Sequence, residues 1–281
     1  MVEKIVNTLL FKPPFPTPYD FPARVFRLRT KAGNEISATY LRRKGASVTI
    51  LFSHGNAEDL NSCYSWMRRL SRELHVNVLG YDYSGYGSST GEMKEDNCYA
   101  DIEAVFNYLV NQKGLFPHQI VLYGRSLGSG PSCYLAQKTA LENRSVGGLI
   151  LHSPFASVYR VVVDVGFTMK GDKFPNIDRI GDVACPVMIA HGREDTVVPF
   201  KHGEELYATC PKDCRASPFW MAGIGHNDHG AAVEAELMRR LNEYLDYHIL
   251  ARRLYLRASR SAPMEHYTRA PNKEELIRLG C

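Results

Sequence analysis

Ser126 lies in the stretch YGRSLGSG, directly after the apolar run QIVL and ahead of residues that read as helix. A serine hydroxyl is a poor nucleophile unless a base takes its proton and a carboxylate orients that base. Two later segments supply those groups. AHGREDTVVP carries Asp195 after one apolar run, and AGIGHNDHG carries His226 after the next. The chain order is therefore Ser, Asp, His, and the chemistry such a set supports is acyl transfer through a covalent serine intermediate. Glu194 and His229 are the rival acid and base. Asp195 is preferred because it lies one place further past its strand and leads into TVVP. His226 is preferred because it follows a glycine directly at the turn, whereas His229 reads as the start of the next helix.

Gly124-Arg125-Ser126-Leu127-Gly128 matches G-x-S-x-G, and a strand before it with a helix after it makes the match a nucleophile elbow. A helix starting at Leu127 aims its N–H groups and positive dipole end at the Ser126 oxygen. Stabilising a tetrahedral oxyanion needs two backbone N–H donors. Leu127 is one. The other is expected from the loop after VTILFSHGN, where Gly55 permits close approach, with Asn56 the first candidate and Ala57 the fallback. His54 in that loop is read as orienting it, not as a base.

These groups need a frame that gathers strand ends. Six apolar, β-rich runs close on small or turn residues: 48–56, 76–87, 120–126, 147–154, 186–195 and 217–226. Helical stretches lie between most of them, such as 96–111 with Ala100, Ile102, Val105, Phe106 and Leu109 near a 3.6-residue period. Near-continuous apolar strands alternating with helices predict an α/β fold, with a mostly parallel central sheet covered on both faces. In such a sheet, functional groups sit just past the carboxyl ends of the strands, where His54, Asn56, Asp82, Ser126, Asp195 and His226 fall. Upstream, ARVFRLRT and EISATYLRR around KAGN predict an antiparallel hairpin. Residues 155–183 break the rhythm and read as a small cap insertion. The segment 231–256 reads as one helix with a Leu237, Leu241, Leu245 and Ile249 stripe. The organisation expected is an amphipathic and proline-rich segment over 1–22, one domain over 23–250 and a basic tail over 251–281.

The 281 residues carry a net charge of +4, all of it in the tail, where seven Lys/Arg face three Glu from residue 251 onward. A neutral body excludes an electrostatic nucleic-acid binder. The seven cysteines are odd in number and lack framework spacing, and Cys210 and Cys214 have no second pair to complete a zinc site. Reduced thiols, no metal and no cofactor are expected. No run reaches the ~18 apolar residues of a membrane span, and the first twenty residues lack a signal-peptide pattern. A cytoplasmic protein is expected. A short helix bearing Val2, Ile5, Val6, Leu9 and Leu10 would either pack on the body or dip into a bilayer surface, and peripheral membrane contact would come through it or through the basic tail.

Taken together, FSHGNAEDL, YDYSGYGSSTG, YGRSLG, LHSPFAS, FPNID, HGREDTVVPF and GHND resemble the α/β-hydrolase superfamily. They are most similar to its protein-depalmitoylase branch, α/β-hydrolase domain-containing protein 17, over about residues 5–248. The resemblance implies a Ser126, Asp195 and His226 triad and hydrolysis of acyl thioesters on proteins. One departure is the cysteine cluster with which the depalmitoylases open: no Cys precedes Cys63, and Val2 stands where N-myristoylation needs glycine. The large apolar residues of 155–183, among them Phe155, Val161, Phe167 and Phe174, are candidates to wall an acyl-chain groove; the core of a small cap needs the same residues. The function expected is a serine hydrolase of carboxylic esters or thioesters, with an S-acylated protein as the candidate substrate. The alternatives are a serine peptidase of the same fold and a non-catalytic binding protein that kept it.

Overall fold

The computed structural model describes residues 10–162, 168–228 and 230–251. In chain order the strands are β1 (Val25–Arg29), β2 (Glu35–Leu41), β3 (Thr49–Ser53), β4 (Asn77–Tyr81), β5 (Ile120–Arg125), β6 (Gly148–His152), β7 (Val187–Gly192) and β8 (Phe219–Met221). They form one sheet in the order β1-β2-β4-β3-β5-β6-β7-β8. The hairpin β1–β2 joins antiparallel to β4, and every pairing from β4 through β8 is parallel. The last run is shorter than its apolar stretch suggests. Only Phe219–Met221 stays extended, because the chain turns at Gly223, which has φ +71°.

The helices are α1 (Leu60–Glu73), α2 (Glu95–Asn107), α3 (Ser129–Leu141), α4 (Val158–Val162), α5 (Asn176–Arg179), α6 (Lys201–Thr209) and α7 (Ala231–Tyr244). Strand alternation divides the core in two. On one face Ile50, Phe52, Val78, Val121, Tyr123, Ile150 and Met188 pack on α1 and α7 through Leu60, Met67, Leu70, Leu237 and Leu241. On the other, Leu51, Leu79, Leu122, Leu149, Leu151 and Ile189 meet α2 and α3 through Ile102, Phe106, Leu135 and Ala136. Both faces of the strands are buried, so their runs are apolar throughout rather than alternating. Beyond α7 a π-helical stretch, Leu245–Ala251, keeps Leu245 and Ile249 buried, and the rest of the expected helix lies outside the described residues.

β3 lies between β4 and β5: the chain runs from β3 to β4 on one side, then crosses back past β3 to β5 on the other. This is the switch point at which open parallel sheets gather their functional loops. Asp59 starts α1 there with a capping box: its carboxylate accepts from the Ser62 amide at 2.9 Å, and its own amide donates to the Ser62 hydroxyl at 2.8 Å. The inserted segment after β6 contains α4 and α5. Asn176 ties it down by donating to the Phe155 carbonyl at 2.9 Å and the Ser129 hydroxyl at 3.2 Å. Among the described residues no helix is long and apolar enough to cross a membrane.

Candidate active site

Ser126 sits at the turn between β5 and α3 with φ +49°, a left-handed backbone conformation that is strained for a serine. The flanking glycines make the turn feasible. A Cβ on Gly124 would run into the Gly128 carbonyl and the Ser132 hydroxyl, and one on Gly128 into the Ser53 and His54 carbonyls. Gly128 therefore lets α3 start against the end of β3, which brings the loop after β3 beside the serine. The Ser129 hydroxyl donates to the Ser126 carbonyl at 2.7 Å and closes the turn. Leu127 is buried in the single tight turn Ser126–Gly128 that leads into α3, where the first N–H groups have no partner within the helix.

The three residues expected to act together are in contact. Ser126 Oγ lies 3.0 Å from His226 Nε2, and His226 Nδ1 lies 2.7 Å from Asp195 Oδ2. An ionised carboxylate only accepts, so Nδ1 carries the proton and Nε2 accepts from the serine hydroxyl. Asp195 follows β7 with its side chain fully buried, and its Oδ1 accepts the amides of Val197 at 2.9 Å and Val198 at 2.7 Å. Burial alone would raise its pKa. Hydrogen bonds from His191, His226 and the Val198 amide outweigh that and hold the carboxyl well below the usual range. The His191 Nε2–H is shared, lying 3.3 Å from Asp195 Oδ2 and 2.9 Å from the Val198 carbonyl. Glu194 is exposed, so the rival acid faces solvent. His229, the rival base, lies outside the described residues.

The loop after β3 is restrained from several sides. The His54 carbonyl accepts from Tyr83 Oη at 2.7 Å, while the buried His54 ring contacts the Gly55 carbonyl and lies 3.4 Å from Asp82. That fits a residue that orients the loop. Asp82 also accepts from the Leu60 amide at 2.8 Å and Tyr19 Oη at 2.6 Å. Asn56 spends its side chain on the amino-terminal strap. Its Nδ2 donates to the Leu10 carbonyl at 2.6 Å, and its Oδ1 accepts from the Lys12 amide at 2.8 Å and Tyr86 Oη at 2.7 Å. Residues 10–12 thus pack on the body, one of the two placements expected for the amino-terminal segment, but the Asn56 side chain as their anchor had no signal in the sequence.

The four apolar candidates separate. Phe155 and Phe174 are 5% and 0% exposed and stand edge to face with ring centroids 6.3 Å apart. Both are packed interior residues rather than open walls of a groove. Val161 is half-buried on α4, and Phe167 lies outside the described residues. The expected amphipathic helix before Leu10 and the tail beyond Ala251 also lie outside them.

A mostly parallel sheet with helices on both faces, and with Ser126, His226 and Asp195 in one hydrogen-bonded line past its strand ends, is that of an α/β hydrolase. The family model described as alpha/beta hydrolase fold matches residues 48–172. The chain belongs to the family of α/β hydrolase domain-containing protein 17. It is 40% identical to protein 17C of Xenopus tropicalis over 227 residues, covering 80% of this chain and 70% of that one. It is equally 40% identical to human protein 17B, over 80% of this chain and 76% of the relative. The fold is also that of the Pyrococcus furiosus esterase Pf2001, with a TM-score of 0.66 at 17% identity over 85% of this chain and 99% of that one.

Proposed function

We propose that the protein is a serine hydrolase of carboxylic esters and thioesters, with Ser126 as nucleophile, His226 as general base and acid, and Asp195 as the orienting carboxylate. The observation that carries this reading is the hydrogen-bonded line from Ser126 Oγ through His226 to the buried Asp195. His226 takes the Ser126 proton at Nε2 as Oγ attacks the carbonyl carbon. The backbone amides of Leu127 and Asn56 receive the oxyanion. His226 then gives the proton to the departing alcohol or thiol, leaving an acyl-serine. Water, deprotonated by His226, attacks that ester, and the acid leaves as Ser126 recovers its proton. Asp195 stays ionised throughout and steadies the imidazolium formed in each half-reaction.

The thioesters of S-acylated proteins are the substrate class proposed within that chemistry. The motifs HGNAEDL, YDYSGYG and FPNI, shared in register with the depalmitoylase branch, support it. So does the apolar insertion between β6 and β7, of which Val161 is a half-buried member. The test is turnover of p-nitrophenyl esters and acyl thioesters of increasing chain length. Each CH₂ buried is worth ~0.8 kcal/mol, so a four-carbon extension that finds an apolar wall gains on the order of 100-fold in kcat/KM. A preference for acetyl over octanoyl substrates would move the reading to a short-chain esterase.

A further inference from the structure

Arg125 stands between Gly124 and Ser126, a place where G-x-S-x-G specifies nothing. Its guanidinium forms an ion pair with Glu58 Oε1 and donates to Asn227 Oδ1 at 3.1 Å. The second oxygen of Glu58 accepts the Gly55 amide at 2.6 Å. Gly55 precedes Asn56, and Asn227 follows His226. One planar side chain therefore joins three loops, those after β3, β5 and β8, which bear the candidate oxyanion amide, the nucleophile and the base.

The pair is shielded from solvent, with side-chain exposures of 19% for Arg125 and 20% for Glu58. Gly55 and Glu58 also close a turn on themselves, the Glu58 amide donating to the Gly55 carbonyl at 3.3 Å. The path of the backbone through Asn56 thus depends on where the Glu58 carboxylate points, and Arg125 fixes that direction. A guanidinium suits the task because its donors fan out in a rigid plane and can serve two acceptors at once, which a single ammonium on a flexible stem cannot do equally well.

We propose that Arg125 is a positioning residue for hydrolysis: acting through Glu58 and Asn227, it holds the loop of Asn56 and the loop of His226 in register with Ser126 Oγ. This rests on the Ser126 mechanism proposed above. The role is one of geometry. Misplacing reacting groups by about 1 Å costs on the order of 100-fold in rate, and a loss of that kind falls on kcat rather than on ground-state binding.

The experiment uses the full chain with one p-nitrophenyl ester and compares Arg125→Met, Arg125→Lys, Asn227→Ala, Glu58→Gln with Arg125→Met, and Ser126→Ala. Arg125→Met is expected to lower kcat by on the order of 100-fold with KM little changed. Arg125→Lys should recover only part of the loss, and Asn227→Ala should lose part. The double variant should be no worse than Arg125→Met alone, as expected for members of one network. If Arg125→Met does not fold, the double variant, which leaves no half-buried carboxylate without its guanidinium, and Asn227→Ala carry the same test. Wild-type kcat in the variants that fold, even with a lowered Tm, would mark an ion pair that serves stability only and would overturn the proposal. Ser126→Ala separates the two readings. Hydrolysis surviving in it would overturn the Ser126 mechanism itself. Hydrolysis lost there but intact in Arg125→Met overturns the positioning role alone.

Discussion

Phe11 and Phe174 meet edge to face, with ring centroids 6.2 Å apart and planes at 75°. The contact joins the amino-terminal strap to the insertion between β6 and β7, and Phe11 also stands edge-on to Tyr86 at 6.5 Å. With Asn56 holding Leu10 and Lys12 on either side of it, Phe11 is a core residue, 2% exposed, rather than part of a detached leader.

Phe11→Ala should therefore destabilise the protein as a core truncation does, by roughly 3–5 kcal/mol. Chemical denaturation of both proteins measures it. A loss under ~1 kcal/mol would mean that the strap contributes little to the packed body.

Gly128→Ala places a methyl group against the carbonyls of Ser53 and His54. Neither is a flexible side chain, so the turn must move away from β3, at a cost of about 1–3 kcal/mol. The same movement separates the β3 loop from Ser126, and activity is expected to fall on the order of 100-fold. A variant with wild-type kcat/KM would show that the close approach has no catalytic consequence.

Asp195 and Glu194 are adjacent, yet only Asp195 is buried against His226. Asp195→Asn leaves the shape but can present its amide N–H to Nδ1, favouring the wrong imidazole tautomer, so kcat should drop by on the order of 10⁴. Glu194→Gln, an exposed change, should leave kcat unaltered. The reverse ranking would reassign the acid.

Asp101 gives a pH prediction. Burial pushes its carboxyl up to about 7 against the hydrogen bonds it accepts from the Ser84 amide at 2.7 Å and hydroxyl at 2.8 Å. In the unfolded chain the same group titrates near ~3.9. Between those values the folded protein keeps a proton that the unfolded one has lost, so this group's contribution to stability falls as pH rises from about 4 to about 7. Asp101→Asn removes that component. Urea midpoints at both ends of the window should differ less in the variant than in the wild type, and parallel profiles would show that Asp101 is not the source.

Much of the candidate site was legible because acyl-transfer chemistry imposes an order on its groups. Ser126, Asp195 and His226 each follow an apolar run, and the glycines at 124 and 128 mark a turn too tight for side chains. What composition could not separate was use from packing. Phe155 and Phe174 look alike whether they wall a groove or fill a core, and their neighbours, Phe11 and Tyr99 among them, are distant in sequence. Arg125 and Glu58 were hidden for a related reason. Both are charged residues near loops, and only the fold shows that one guanidinium reaches the acceptors of two other loops. The end of β8 depended on a single dihedral at Gly223, which no apolar count contains.

In the proposed mechanism Ser126 carries the acyl group between two half-reactions. The most direct measurement is intact and peptide mass of the protein quenched during turnover of a slow acyl thioester, together with the thiol released before steady state. A burst of about one thiol per active site is expected, as acyl-enzyme accumulation produces. A mass increase equal to the acyl group is also expected, located on the peptide containing Ser126 and absent from Ser126→Ala. Thiol release that persists in Ser126→Ala, or an acyl group found on another residue, would contradict that mechanism.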